Sequence, residues 1–256
     1  MKQFHKKIIN RDMFYNYNSV AVYYEVFHEG RGDPIFLLHG WGVDGKIFDQ
    51  LIENFPEKTF IVVDFPPFGE SGKNIKDWTI FTYASLFMSL CDHLKIEKCD
   101  ILGHSFGGRI AIIVSAIRRS LVHSCILVDS AGLRPRRKMK YYVNLWEYKI
   151  YKKLGKDVSR FGSSDYKTLP TEMKDVFKNI VSTYLEEYAK RSKVKTLLVW
   201  GENDKETPLY MGKRLNRYIK TSRLYVMKNT GHFPFLDKPL EFYQLINNFW
   251  EDPWYI

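Results

Sequence analysis

Ile101-Leu102-Gly103-His104-Ser105-Phe106-Gly107-Gly108 is the stretch on which the fold of this chain turns. It opens as a short apolar run, the end of a buried strand, and passes into a segment that reads as helix from Arg109 to Arg118. Between the two, residues 103–107 have the spacing Gly-x-Ser-x-Gly. Set between a strand and a helix, that spacing predicts a sharp, strained turn that lifts a serine hydroxyl above a sheet edge. Gly103 and Gly107 keep neighbouring backbone from colliding there. The spacing alone is weak, since chance produces it in about one chain of this length in twenty. The strand-to-helix setting is what gives it weight; the plainer alternative is a glycine-rich turn holding an ordinary serine.

A serine hydroxyl is a poor nucleophile at neutral pH and needs a base, which in turn needs an orienting group. Of seven histidines, His232 stands in Asn229-Thr230-Gly231-His232-Phe233-Pro234, just after the apolar run RLYVM (223–227). A loop after a late strand can reach across the sheet edge toward Ser105. His93 and His123 lie in or near helices, His5 and His28 lie outside the strand ends, and His104 should point away from its neighbour Ser105. For the acid, Asp204 follows LLVWG in Gly201-Glu202-Asn203-Asp204. Asp129, also at a strand end, is the alternative. Acyl transfer also requires donors for the developing oxyanion. The backbone N–H of Phe106 follows the serine at a helix start, where the dipole favours negative charge. A second donor is expected after IFLL (35–38), from the backbone of Trp41 in His39-Gly40-Trp41-Gly42, with His39 stabilising that loop.

The rest of the chain alternates strand and helix. VAVYYEVF (20–27), IFLL (35–38), FIVVD (60–64), CILVD (125–129), TLLVWGEND (196–204) and RLYVM (223–227) read as strands. Helices are expected from an N-cap at Thr79 to about Leu94, near 209–219 and near 239–250. Short apolar runs with few polar interruptions suit central strands of a mostly parallel sheet covered on both faces. The rhythm changes at Gly132. Residues 139–154 and 172–190 read as two amphipathic helices joined by a polar, turn-prone link. One α/β core, residues 1–132 and 195–256, interrupted by a helical cap, residues 133–194, is the expected organisation.

Residues 133–194 hold 16 Lys and Arg against 7 Asp and Glu, which is nearly all of the chain's net charge of +10. Arg134, Arg136, Arg137, Lys138 and Lys140 open that segment. A basic segment suits an anionic substrate or an acidic surface, or is only a solvated face. No nucleic-acid-binding motif accompanies it, so nucleic acid is not an expected partner. No apolar run approaches the ~18 residues of a membrane span, and the basic N-terminus is not followed by a signal-peptide core. The stripe Tyr141, Tyr142, Leu145, Trp146 and Ile150 is expected to pack over the site rather than lie on a membrane. Cys91, Cys99 and Cys125 are odd in number, show no metal-ligand spacing and sit in apolar runs, as buried thiols of a reducing, cytoplasmic setting would.

HGWG, DFPPFG, GHSFGG, GENDKETP and NTGHFPF, in this order and spacing, resemble the α/β-hydrolase family over almost the whole chain. The resemblance implies an eight-stranded, mostly parallel sheet, the order nucleophile–acid–histidine met by Ser105, Asp204 and His232, and a cap matching the helical insertion. It looks like the small bacterial members: carboxylesterases, carbon–carbon bond hydrolases and a menaquinone-pathway lyase. Pro67 departs from the pattern, standing where related chains often carry glycine near the pocket rim. Serine rather than aspartate at 105 argues against dehalogenase and epoxide-hydrolase chemistry. The expected activity is hydrolysis of a small carboxylic ester without metal or organic cofactor. Carbon–carbon cleavage or a lyase reaction on an acidic substrate, and a non-catalytic ligand-binding role, are the alternatives.

Overall fold

The computed structural model describes residues 14–136, 146, 147, 151, 169 and 171–252. Eight strands form one sheet: β1 (Phe14–Tyr17), β2 (Val20–Phe27), β3 (Ile35–Leu38), β4 (Phe60–Val63), β5 (Cys99–His104), β6 (Val122–Val128), β7 (Lys195–Gly201) and β8 (Ser222–Met227). Their spatial order is β1-β2-β4-β3-β5-β6-β7-β8. The first two strands pair antiparallel, β2 pairs antiparallel with β4, and every later pairing is parallel. The strand–helix rhythm implies a mostly parallel sheet of this kind, and the eight strands are those that the resemblance to the α/β-hydrolase family implies.

The central strands show no polar–apolar alternation because both faces of the sheet are covered. In β3, Phe36 and Leu38 join one core, while Ile35 and Leu37 join the other. The first core is closed by α2 (Ile80–His93), α3 (Phe106–Ile117) and α6 (Tyr210–Tyr218). The second is closed by α1 (Asp49–Asn54), α7 (Pro234–Asp237) and α8 (Pro239–Glu251), through Leu51, Ile52, Phe235, Phe242, Ile246 and Phe249. Helix α2 starts where its sequence says. The Thr79 hydroxyl accepts from Thr82 N–H, and the Thr82 hydroxyl accepts from Thr79 N–H, a reciprocal cap.

Between β6 and β7 the structure departs from the sequence reading. The single helix expected over 172–190 is two helices, α4 (Thr171–Ser182) and α5 (Glu186–Arg191). The physical cause of the break lies in the core. Arg109 of α3 is buried, and its Nη1 donates to the carbonyls of Ile180 and Thr183, both at 2.9 Å. These carbonyls lie in the last turn of α4 and just beyond it, where the helix leaves its acceptors short of N–H donors; that of Ile180 also accepts from Thr183 N–H at 3.3 Å. The Thr183 hydroxyl closes back on the Asn179 carbonyl, and Leu185 N–H turns to the Gly132 carbonyl at 2.8 Å. Leu185 itself is fully buried in the first core. A long-range tie of this kind has no local sequence signal. The helix read at 139–154 falls almost wholly outside the described residues. Of its apolar stripe only Trp146 is described, and its ring is exposed rather than packed over the site.

Arg109→Ala should leave two carbonyls without their charged donor, a loss of about 1.5–3 kcal/mol. The melting temperature should fall by roughly 5 °C. Amide exchange in α4 and α5 should rise relative to β5 and β6. Unchanged protection in α4 would show that Arg109 does not hold it.

Candidate active site

Ser105 sits between β5 and α3 with φ +48° and ψ −102°, a region that L-residues rarely occupy. The turn is over-determined by its surroundings. Ser105 N–H donates to the Val128 carbonyl, Ala131 N–H donates to the Ser105 carbonyl, and Gly107 N–H donates to the His39 carbonyl. A Cβ at Gly107 would lie 2.1 Å from the Leu38 carbonyl oxygen, so only glycine lets α3 approach β3 this closely. Gly103 packs against the Gly107 carbonyl in the same way. The strain at Ser105 is thus fixed by strands on either side of it.

His232 and Asp204 come from loops after β8 and β7. The two loops are joined by Asn203 N–H donating to the Thr230 carbonyl at 2.9 Å. His232 Nδ1 lies 2.9 Å from Asp204 Oδ2, with both side chains nearly inaccessible. An ionised carboxylate only accepts, so Nδ1 carries the hydrogen. Burial by itself would raise the Asp204 carboxyl. Hydrogen bonds from His232 and Thr207, together with the His232 charge, overcome that and hold it at about 2. Asp204 Oδ1 accepts from the N–H groups of Glu206 and Thr207, while the Thr207 hydroxyl reaches Oδ2 at 2.6 Å. Asp129, the other candidate acid, is engaged elsewhere: its Oδ1 accepts from Gly201 N–H at 2.9 Å. Burial, then the neighbouring Asp204 charge, pushes the Asp129 carboxyl up to about 9.

His39 is fully buried. Its Nε2 accepts from Phe65 N–H at 2.8 Å, which leaves Nδ1–H to donate to the Gly40 carbonyl at 2.7 Å. Burial lowers its basicity, in keeping with this neutral tautomer. His39 therefore ties the loop after β3 to the loop after β4. Gly40 passes against the turn, since a Cβ there would lie 3.6 Å from the Ser105 Cβ. Trp41 follows, its ring against Phe68, Phe106 and Phe177 at 4.9, 5.4 and 5.3 Å.

Ser105, His232, Trp41 and Phe106 all line one pocket of about 260 Å³. Phe177, Ile180 and Val181 of α4 form its far wall. Glu206 also lines it, and its Oε2 lies 3.2 Å from His232 Nε2.

A family model described as alpha/beta hydrolase fold matches residues 33–184, more than half of the chain. The chain belongs to the alpha/beta hydrolase fold family. "Uncharacterized hydrolase YugF" of Bacillus subtilis is 27% identical over 87% of this chain and 91% of its own length. A "Pimeloyl-[acyl-carrier protein] methyl ester esterase" of Neisseria meningitidis serogroup B is 29% identical over 85% of this chain and 92% of its own. Among solved structures, an esterase from Exiguobacterium antarcticum superposes with a TM-score of 0.75. It shares 21% identity, over 93% of this chain and 99% of that one.

Within this alpha/beta hydrolase, four pocket residues carry no sequence signal of their own: Arg109, Glu206, Thr207 and His104. His104 lies under the His232 ring at 4.8 Å, and its Nε2–H donates to the His232 carbonyl at 2.8 Å. Burial, and then the charge of His232, lowers His104 to about 3, so it stays neutral. It holds the loop that presents His232. Only the general direction, away from Ser105, follows from its place next to the serine. Ligand atoms of Asp129, Asp204 and His232 lie within 4.8 Å of one another. Burial and the Asp204 charge favour the neutral form of the Asp129 carboxyl, and both Asp204 oxygens already accept several donors, so the set suits a cation poorly. No described helix is long and apolar enough to cross a membrane.

Asp129 in an unfolded chain ionises near ~3.9. From there up to about 9 the folded protein keeps a proton that the unfolded chain has lost. This group therefore costs stability, and the cost grows as pH rises through that window. Asp129→Asn keeps an acceptor for Gly201 and removes the titration. Its melting temperature relative to wild type should climb between pH 5 and pH 8; a difference independent of pH would show that the carboxyl is ionised in the fold.

Proposed function

We propose that this chain is a serine hydrolase that cleaves a small carboxylic ester through an acyl-enzyme. The observation that carries the proposal is the Asp204–His232 pair, 2.9 Å apart, lining one pocket with a serine held at φ +48°. In this reading Ser105 attacks the ester carbonyl and His232 Nε2 takes its proton. Asp204 fixes the tautomer and stabilises the imidazolium. The N–H groups of Phe106 and Trp41 bind the oxyanion; neither is taken by an acceptor among the described residues. His232 then returns its proton to the leaving alcohol, and water activated by His232 releases the acid. No metal or organic cofactor enters these steps.

The similarity to an esterase of a carboxylic methyl ester supports this bond type. Residues 133–194 are read as a cap whose helix α4 walls the pocket with Phe177, Ile180 and Val181. A cavity of about 260 Å³ suits a small acyl group. The Arg134 and Arg136 guanidinium groups lie over the rings of Tyr184 and Tyr210. Neither arginine lines the pocket. The described basic residues at the start of the cap thus give the pocket no anion-binding group. The buried thiols Cys91, Cys99 and Cys125 suit a reducing, cytoplasmic setting.

Intact-mass analysis after exposure to a fluorophosphonate should show one adduct on wild type and none on Ser105→Ala. With short-chain esters, His232→Ala and Asp204→Asn should each lower kcat by about 10⁴-fold with little change in KM. No adduct on folded wild-type protein would count against an activated serine.

A further inference from the structure

The Asp204–Thr207 turn does more than present Asp204. Asp204 Oδ1 accepts from Glu206 N–H at 2.8 Å and from Thr207 N–H at 3.1 Å, which fixes the turn. The Glu206 side chain is thereby set on the His232 side of the pocket, with Oε2 3.2 Å from Nε2. His232 is held between two carboxylates. Asp204 is buried and turned to Nδ1; Glu206 is 60% exposed and turned to the nitrogen that handles the travelling proton. Among the described residues, no lysine or arginine forms an ion pair with Glu206. The cationic side chain of the pocket wall, Arg109, is bound to the carbonyls of Ile180 and Thr183.

In ester cleavage the proton on Nε2 goes to the oxygen of the departing alcohol. The alcohol half of the ester must therefore lie beside Nε2, within reach of Glu206, while the acyl half extends from Ser105. We propose that Glu206 is a specificity-determining residue that favours esters whose alcohol half carries a cationic ammonium group and disfavours those whose alcohol half is anionic. The inference rests on the serine-hydrolase reading above and goes beyond it by assigning the charge of the leaving group. Because Glu206 is more than half exposed, the discrimination is modest, about fivefold for one charge.

The test compares butyrate esters of three alcohols: choline, its neutral carbon isostere 3,3-dimethylbutanol, and the anionic 3-hydroxypropanoate. In wild type, kcat/KM should be about fivefold higher for the choline ester than for the neutral one, and about fivefold lower for the anionic one. Glu206→Gln should bring both ratios close to one, and Glu206→Lys should reverse the order. Fluorophosphonate labelling of the same wild-type preparation separates the two levels of the argument. A labelled enzyme that is blind to leaving-group charge, or whose preference survives in Glu206→Gln and Glu206→Lys, overturns the assignment of Glu206 and leaves the serine hydrolase standing. An unlabelled, folded enzyme that cleaves none of the three esters overturns both.

Discussion

The close approach of α3 to β3 is the constraint on which the rest of the site depends. Gly107 N–H bonds the His39 carbonyl, and the Gly107 backbone sits where any side chain would strike the Leu38 carbonyl. That contact fixes where α3 begins relative to the sheet. The connecting residue, Ser105, is then left with a positive φ and its side chain toward the pocket. The same contact brings the loop after β3 alongside, so that Gly40 touches the serine and Trp41 lies beside Phe106. One backbone hydrogen bond and one missing Cβ thus align three segments from distant parts of the chain.

Around this turn the buried ionisable groups are arranged in graded environments. Asp204 receives enough donors to stay ionised in spite of burial, and Asp129, a few ångströms away, does not. Two like charges in one low-dielectric site would repel, so the pair settles with one proton between them. The histidines divide in the same manner. His39 and His104 are buried, neutral and spent on holding loops, while His232 keeps one ring nitrogen toward the pocket. Structural histidines pin the loops on both sides of the turn, and His104 is what ties the loop after β8 to the end of β5.

The pocket itself is built from two kinds of wall. The floor, formed by Ser105, Phe106, Trp41 and His232, belongs to the sheet edge and its loops. The far wall, formed by Phe177, Ile180 and Val181, belongs to α4, whose end is tied to the core by Arg109. Glu206 stands between the two, on the turn that also orients His232. The floor and the far wall of the pocket are therefore supplied by different segments of the chain.

Whatever depends on local order was legible in the sequence by itself: the strands from Val20 onward, the Thr79 cap, the Gly-x-Ser-x-Gly turn, and the loops bearing Asp204 and His232. Apolar runs, caps and turn residues act over a few positions, so their signals survive without a fold. The choice between Asp204 and Asp129 stayed open because both follow a strand, and only the pairing of the loops after β7 and β8 puts one carboxylate on His232. The break between α4 and α5 came from Arg109, more than 70 residues away in the chain. Glu206 beside Nε2 and His104 beneath the imidazole came from segments, a loop and a strand end, that meet only when the sheet is assembled. Contacts between residues far apart in sequence leave no periodicity behind them. They arise from the three-dimensional packing of the sheet edge, and it is that packing which decided the shape and charge of the pocket.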